Sequence, residues 1–197
     1  MCTAMRCFQI SGIRLTNSNA APLSEPAAHG RAPAPARKPP TPPTRQALHE
    51  ALLASDSATS VLERFYPPPI HVRRLPAADH GMPLDPRRRE ALQVALPGDI
   101  LHRRVNLMSG DMVLSEADIW FVPARLTPGM LHALATTQTP FGHIVRPLAL
   151  RRVRLAARLC DAGEPAALEH RARLIAPCGH AVAEVWERYG WAMFASP

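Results

Sequence analysis

Proline decides where this chain can build regular structure. Eight of its 22 prolines fall before residue 45, six of them in the run PAPARKPPTPP. Proline fixes φ and lacks a backbone donor, so such a stretch supports neither a ladder nor a helix interior. Residues 1–44 are therefore expected to be a disordered Ala/Pro-rich leader that the rest can do without. Ordered structure is expected from Arg45, as one domain over 45–197.

Within that span the hydrophobic spacing changes period. In QALHEALLAS, Ala47, Leu48, Ala51 and Leu52 recur as on one face of a helix. Asp56 or Ser57 can cap a second short helix, SATSVLERF, with Val61, Leu62 and Phe65 on its apolar side. Pro67 to Pro69 ends it. IHVRRL then alternates Ile70 and Val72 against His71 and Arg73, as a strand does. Residues 76–97 are expected to be a loop with one short helix. LHRRVNLM and MVLSEADIWFVP read as strands joined at Ser109-Gly110-Asp111, an antiparallel hairpin. Thr127 caps a helix that starts with Pro128. Thr139-Pro140-Phe141-Gly142 reads as a turn, the stretch 144–159 as mostly extended, and 170–190 as a hairpin turning at Cys178-Gly179. Helices followed by antiparallel pairs predict an α+β fold with a single large antiparallel sheet flanked by a few helices.

Composition narrows the function classes. Hydrophobic residues are 47% of the chain, enough for a packed core. No apolar run reaches the roughly 18 residues of a spanning helix, and the start has no continuous apolar stretch of a secretory signal. The cytoplasm is the expected compartment. The net charge is +7, but +4 of it lies in residues 1–44, so a nucleic-acid partner is not expected. Cys2, Cys7, Cys160 and Cys178 have no metal-ligand spacing, so no metal site is expected and free thiols are. Phosphate-binding glycine loops and the G-x-S-x-G and H-E-x-x-H motifs are missing. Nine scattered histidines read as surface or structural residues, and Trp120, Trp186 and Trp191 as core or pocket walls.

Two positions carry a question of chemistry. Arg103 shares a strand face with Leu101, Val105 and Leu107, and burying it unpaired would be costly. It pairs with an internal acid, waits for an anionic ligand, or reaches solvent from an edge strand. On the last strand, Glu184 and Glu187 have opposite parity, so only one is expected to point inward.

From about Arg45 to Trp191 the sequence resembles the chorismate pyruvate-lyases, the 4-hydroxybenzoate synthases of ubiquinone and phenolic-lipid pathways. The ordered set DSATSVLE, LHRRVNL, TQTPFG and GHAVAEVWERY carries the resemblance. The family pattern has a helix of type D-S-M-T, a strand R-E-x-L-L, a turn T-P-L-G and a strand ending T-E-x-F. The strand arginine falls on Arg103, the turn on Phe141 and Gly142, and the acid on Glu187, with Glu184 the runner-up. Two positions depart from the pattern. The helix methionine is Ala58 and the turn leucine is Phe141, an exchange that keeps pocket volume or marks a changed ligand.

The resemblance implies a chorismate lyase-like fold and cleavage of chorismate to 4-hydroxybenzoate and pyruvate, with no metal, flavin or nicotinamide. Arg103 would bind the ring carboxylate and Glu187 would orient the hydroxyl or accept the proton. Ala58, Phe141 and Gly142 would complete the substrate site. Arg146, Arg151 and Arg173 are candidates for a second carboxylate. The expected partner is a small anion, and the expected state a monomer. A second reading keeps the fold without catalysis, as a sensor-like domain binding a small aromatic acid, of the kind found in transcription regulators. Those regulators carry an upstream winged helix that residues 1–44 cannot form, which tips the expectation toward the enzyme. A third class, an RNA or protein scaffold using the arginine-rich strands, would show steep salt dependence with nucleic acid.

Overall fold

The computed structural model describes residues 42–76 and 86–194. The expected leader lies outside the described residues up to position 41, as do Cys2, Cys7 and part of the loop expected over 76–97. Helix α1 spans Arg45–Leu53, where the Thr44 hydroxyl accepts from the Ala47 N–H and Leu48 and Leu52 are buried. Helix α2 spans Ala58–Phe65, and Ser57 is its cap, accepting from the Ser60 N–H. Asp56 instead accepts from the backbone N–H of Arg152. Strand β1 covers Ile70–Arg74, with Ile70 and Val72 buried as their alternation requires. A short α3, Pro86–Ala91, follows.

Strands β2 (Leu101–Ser109) and β3 (Met112–Phe121) form the expected hairpin, and Gly110 supplies the left-handed φ of 55° at its turn. Helix α4 covers Pro128–Thr136, with the Thr127 hydroxyl accepting from the Met130 N–H. The next stretch departs from expectation. Residues 141–148 are helical, as a four-residue α5 (Phe141–Ile144) and a 3₁₀ turn (Arg146–Leu148). Pro140 and Pro147 each sit at a helical start, where their missing N–H costs nothing. Extended structure begins only at β4, Arg151–Leu159. Strands β5 (Leu168–Ile175) and β6 (Ala181–Tyr189) close the chain, their hairpin turning with Gly179 at φ 88°.

The six strands form a single antiparallel sheet in the order β1-β2-β3-β6-β5-β4. This is an α+β, chorismate lyase-like fold. One face carries the main core, where Leu48, Leu62, Leu134 and Phe141 of the helices meet Val105, Ile119, Ala172 and Val185 of the sheet. The other face is not bare. Leu92, Ile100, Trp120, Val122 and Ala181 make a second cluster there, with Trp186 packed against it. That corrects the expectation for the last strand, since Glu184 and Glu187 are both buried, one under each covering. It also moves the tryptophans. Trp120 and Trp186 belong to the second cluster, while Trp191 is largely exposed and donates to the Glu164 carbonyl.

Candidate functional site

Between the sheet and the start of α2 lies a cavity of about 210 Å³. Its floor is apolar, made by Val105 and Leu107 of β2, Ala117 and Ile119 of β3, and Val185 of β6. Ala58 and Thr59 open α2 on one side, and Phe141, Gly142 and Val145 close the other. Three side chains bring charge to this lining from the sheet: Arg103, Arg152 and Glu187. Pairing of β2 with β3 and β6 with β3 sets Arg103 opposite Ile119 and Glu187 opposite Ala117, so both reach the same face.

Arg103 sits on β2, the second strand from the edge, and the residue is half-buried. Its three guanidinium nitrogens are buried and make no hydrogen bond to the described residues. Burial, and secondarily Arg74, press its pKa below the usual arginine value. A guanidinium has five donors and stays charged, so the cavity presents an uncompensated cation with its donors unused. The amino end of α2 faces the same space and adds a positive dipole.

Glu187 is placed differently. Its carboxylate accepts from the Arg152 guanidinium at 2.6 Å and from the Tyr189 hydroxyl at 3.1 Å. Burial, then Glu187, push the Tyr189 phenol well above its usual range, so Tyr189 stays a donor. Arg152 is held charged by Glu187 despite its burial. The acid is thus neutralised within the wall, and Arg103 is left as the free charge of the cavity.

The five residues carried over by resemblance, Ala58, Arg103, Phe141, Gly142 and Glu187, all line this one cavity. Glu184 lies on the opposite face, against Arg88 at 3.3 Å and Arg173 at 3.6 Å. That removes Arg173 from the cavity. Arg151 is exposed and outside it, while Arg146 stands at its rim. Sequence reasoning missed Arg152. Its signal was parity, because Arg152 and Arg151 project to opposite faces and only the former pairs with Glu187. Phe141 is buried and packs on Phe121 at a centroid distance of 5.7 Å.

No family model matches the chain. A protein of Sinorhizobium fredii described as uncharacterized (y4mC) is 40% identical over 120 residues, 58% of this chain and 51% of that one. The chain therefore spans about half the length of the curated relative it matches. Among solved structures, the effector domain of PhnF from Mycobacterium smegmatis matches with a TM-score of 0.51 at 13% identity, over 71% of this chain and 91% of that one. Full PhnF from the same organism gives 0.48 at 14%, over 77% and 80%. A GntR-family transcriptional regulator from Enterococcus faecalis gives 0.41 at 12%, over 64% and 97%.

These findings correct the expected activity. A solved structure that matches at the level of the fold is an effector domain rather than a lyase. The chorismate lyase, its products 4-hydroxybenzoate and pyruvate, and a place in ubiquinone biosynthesis are accordingly withdrawn. Glu187, the expected proton acceptor, is ion-paired with Arg152 and accepts from the Tyr189 hydroxyl through one carboxylate oxygen, Oε2. The winged-helix expectation that favoured the enzyme falls on residues 1–44, of which 1–41 lie outside the described residues. The resemblance holds for the fold. Among the described residues, no helix is long and apolar enough to cross a membrane.

Proposed function

We propose that this domain is a non-catalytic, sensor-like binding module for a small organic anion, of which an aromatic carboxylic acid is the best-fitting class. The observation that carries this reading is Arg103, a cavity-lining residue whose guanidinium has no hydrogen-bond acceptor among the described residues. An anion seated there would give the guanidinium a bidentate, charge-assisted partner. The cavity of about 210 Å³ suits a single substituted ring, since an apolar cavity of roughly 150 Å³ already holds benzene. Ala58, Phe141 and Gly142 would bound the ring, and the remaining lone pairs of Glu187 would accept from a hydroxyl at its far end. A small anion suits the molecule better than nucleic acid does. On the outer face, Arg104 and Arg188 are already paired with Glu116, and Arg188 also with Asp118.

Calorimetric titration with 4-hydroxybenzoate and benzoate tests the reading. One-to-one saturable binding is expected, weakened at least 10-fold in Arg103→Gln, the scale of a lost charged hydrogen bond. No saturable binding of either acid, or equal binding by the variant, would overturn it.

A further inference from the structure

A second cavity, of about 90 Å³, lies beside the first and shares Arg152 with it. Leu52 at the end of α1 and Ser55 cover it from the helix side, and Arg154 and His170 contribute from the sheet. The β4–β5 register sets Arg152 opposite Leu174 and Arg154 opposite Ala172, so both arginines project to the helix-covered face with His170. No acidic residue is among its lining. Arg152 is committed to Glu187. Arg154, exposed on the edge strand β4, makes no hydrogen bond or ion pair with the described residues, so its donors are open to a ligand.

His170, which lines this cavity, is one half of a histidine pair. His170 is buried, and its Nε2 lies 3.1 Å from Nδ1 of His49 on α1. Burial, then His49, Arg152 and Arg154, hold the His170 imidazole down at about 3. The same positive surroundings that keep this ring neutral would favour an anion next to it. Besides Glu187, the acids that act on the pair and its arginines are Glu50 and Asp56. Glu50 acts on His49, and Asp56 is taken up by the Arg152 backbone N–H.

We propose that this second cavity is a site for a small oxyanion, with Arg154 as its principal donor, Arg152 as the wall shared with the larger cavity and His170 in its lining. The oxyanion is either a free ion or the acidic group of a larger ligand that reaches past Arg152. The site is separate from the role of Arg103 and stands or falls independently of it.

Inorganic phosphate titrated into the full chain at low ionic strength is the probe, followed by calorimetry and by the imidazole resonances of His170. Saturable binding is expected, with a shift of the His170 ring signals. Arg154→Gln should weaken it at least 10-fold, while Arg103→Gln changes it less than 2-fold. Phenyl phosphate separates the two sources. Sensitivity to Arg154→Gln alone assigns a free ion, and sensitivity to both variants assigns the group to a larger ligand. Absence of saturable phosphate binding, or binding that Arg154→Gln leaves unchanged, overturns the proposal.

Discussion

At the scale of single residues, the cavity contains two arginines in opposite circumstances. Arg152 is nine-tenths buried and paired with an acid equally buried, so removing either partner strands the other charge. Such a loss costs about 3–5 kcal/mol, whereas replacing both partners by apolar groups is often neutral. Glu187→Leu is therefore expected to destabilise strongly, and Glu187→Leu with Arg152→Met to recover most of the loss. Urea unfolding of the two singles and the double closes that cycle. Gly142 makes a contrasting case. A Cβ there would sit 3.5 Å from the Thr59 hydroxyl oxygen, an ordinary contact, so Gly142→Ala should leave thermal stability within about 0.5 kcal/mol.

At the scale of elements, the helix starts and the hairpins were legible because their determinants are local. Ser57 and Thr127 cap where their hydroxyls reach the first free N–H groups, and Gly110 and Gly179 sit where the turns need a positive φ. Ser57→Ala is expected to cost about 1 kcal/mol, read as a lowered melting midpoint. What was not legible depended on contacts across the sequence. Residues 141–148 coil because they pack over the sheet beside α2, a tertiary demand that extended patterning could not reveal. Leu155 is a bulge in β4, and beyond it Arg158 no longer shares the face of Arg152 and Arg154 as even spacing would require. The α1–β5 contact has its own pH signature. His170 titrates near 3 when folded and near 6.5 when free, so the unfolded chain binds the extra proton between those values. Stability should fall as pH drops through that window, by a few kcal/mol in all, and His170→Gln should flatten the profile.

At the scale of the whole molecule, the sheet is covered on both faces, and each covering buries one glutamate of β6. Sequence alone singled out Arg103 and the four residues that line the cavity with it, since parity and motif order converge there. It did not separate a lyase from a binder, because both need the same grip on an anion. It also missed Arg152, forty-odd positions from the arginine that drew attention, which pairs with Glu187. The central claim is that Arg103 is kept for a ligand and at some cost to the fold. Urea unfolding of the wild type and Arg103→Met, each with and without saturating 4-hydroxybenzoate, tests it directly. Without ligand the variant should equal or exceed the wild type, by up to about 3 kcal/mol, because an unpaired buried cation is gone. With ligand at about 100 times its Kd, the wild type should gain about 2.7 kcal/mol and the variant nothing. A variant that is less stable without ligand, and gains as much with it, would contradict the account.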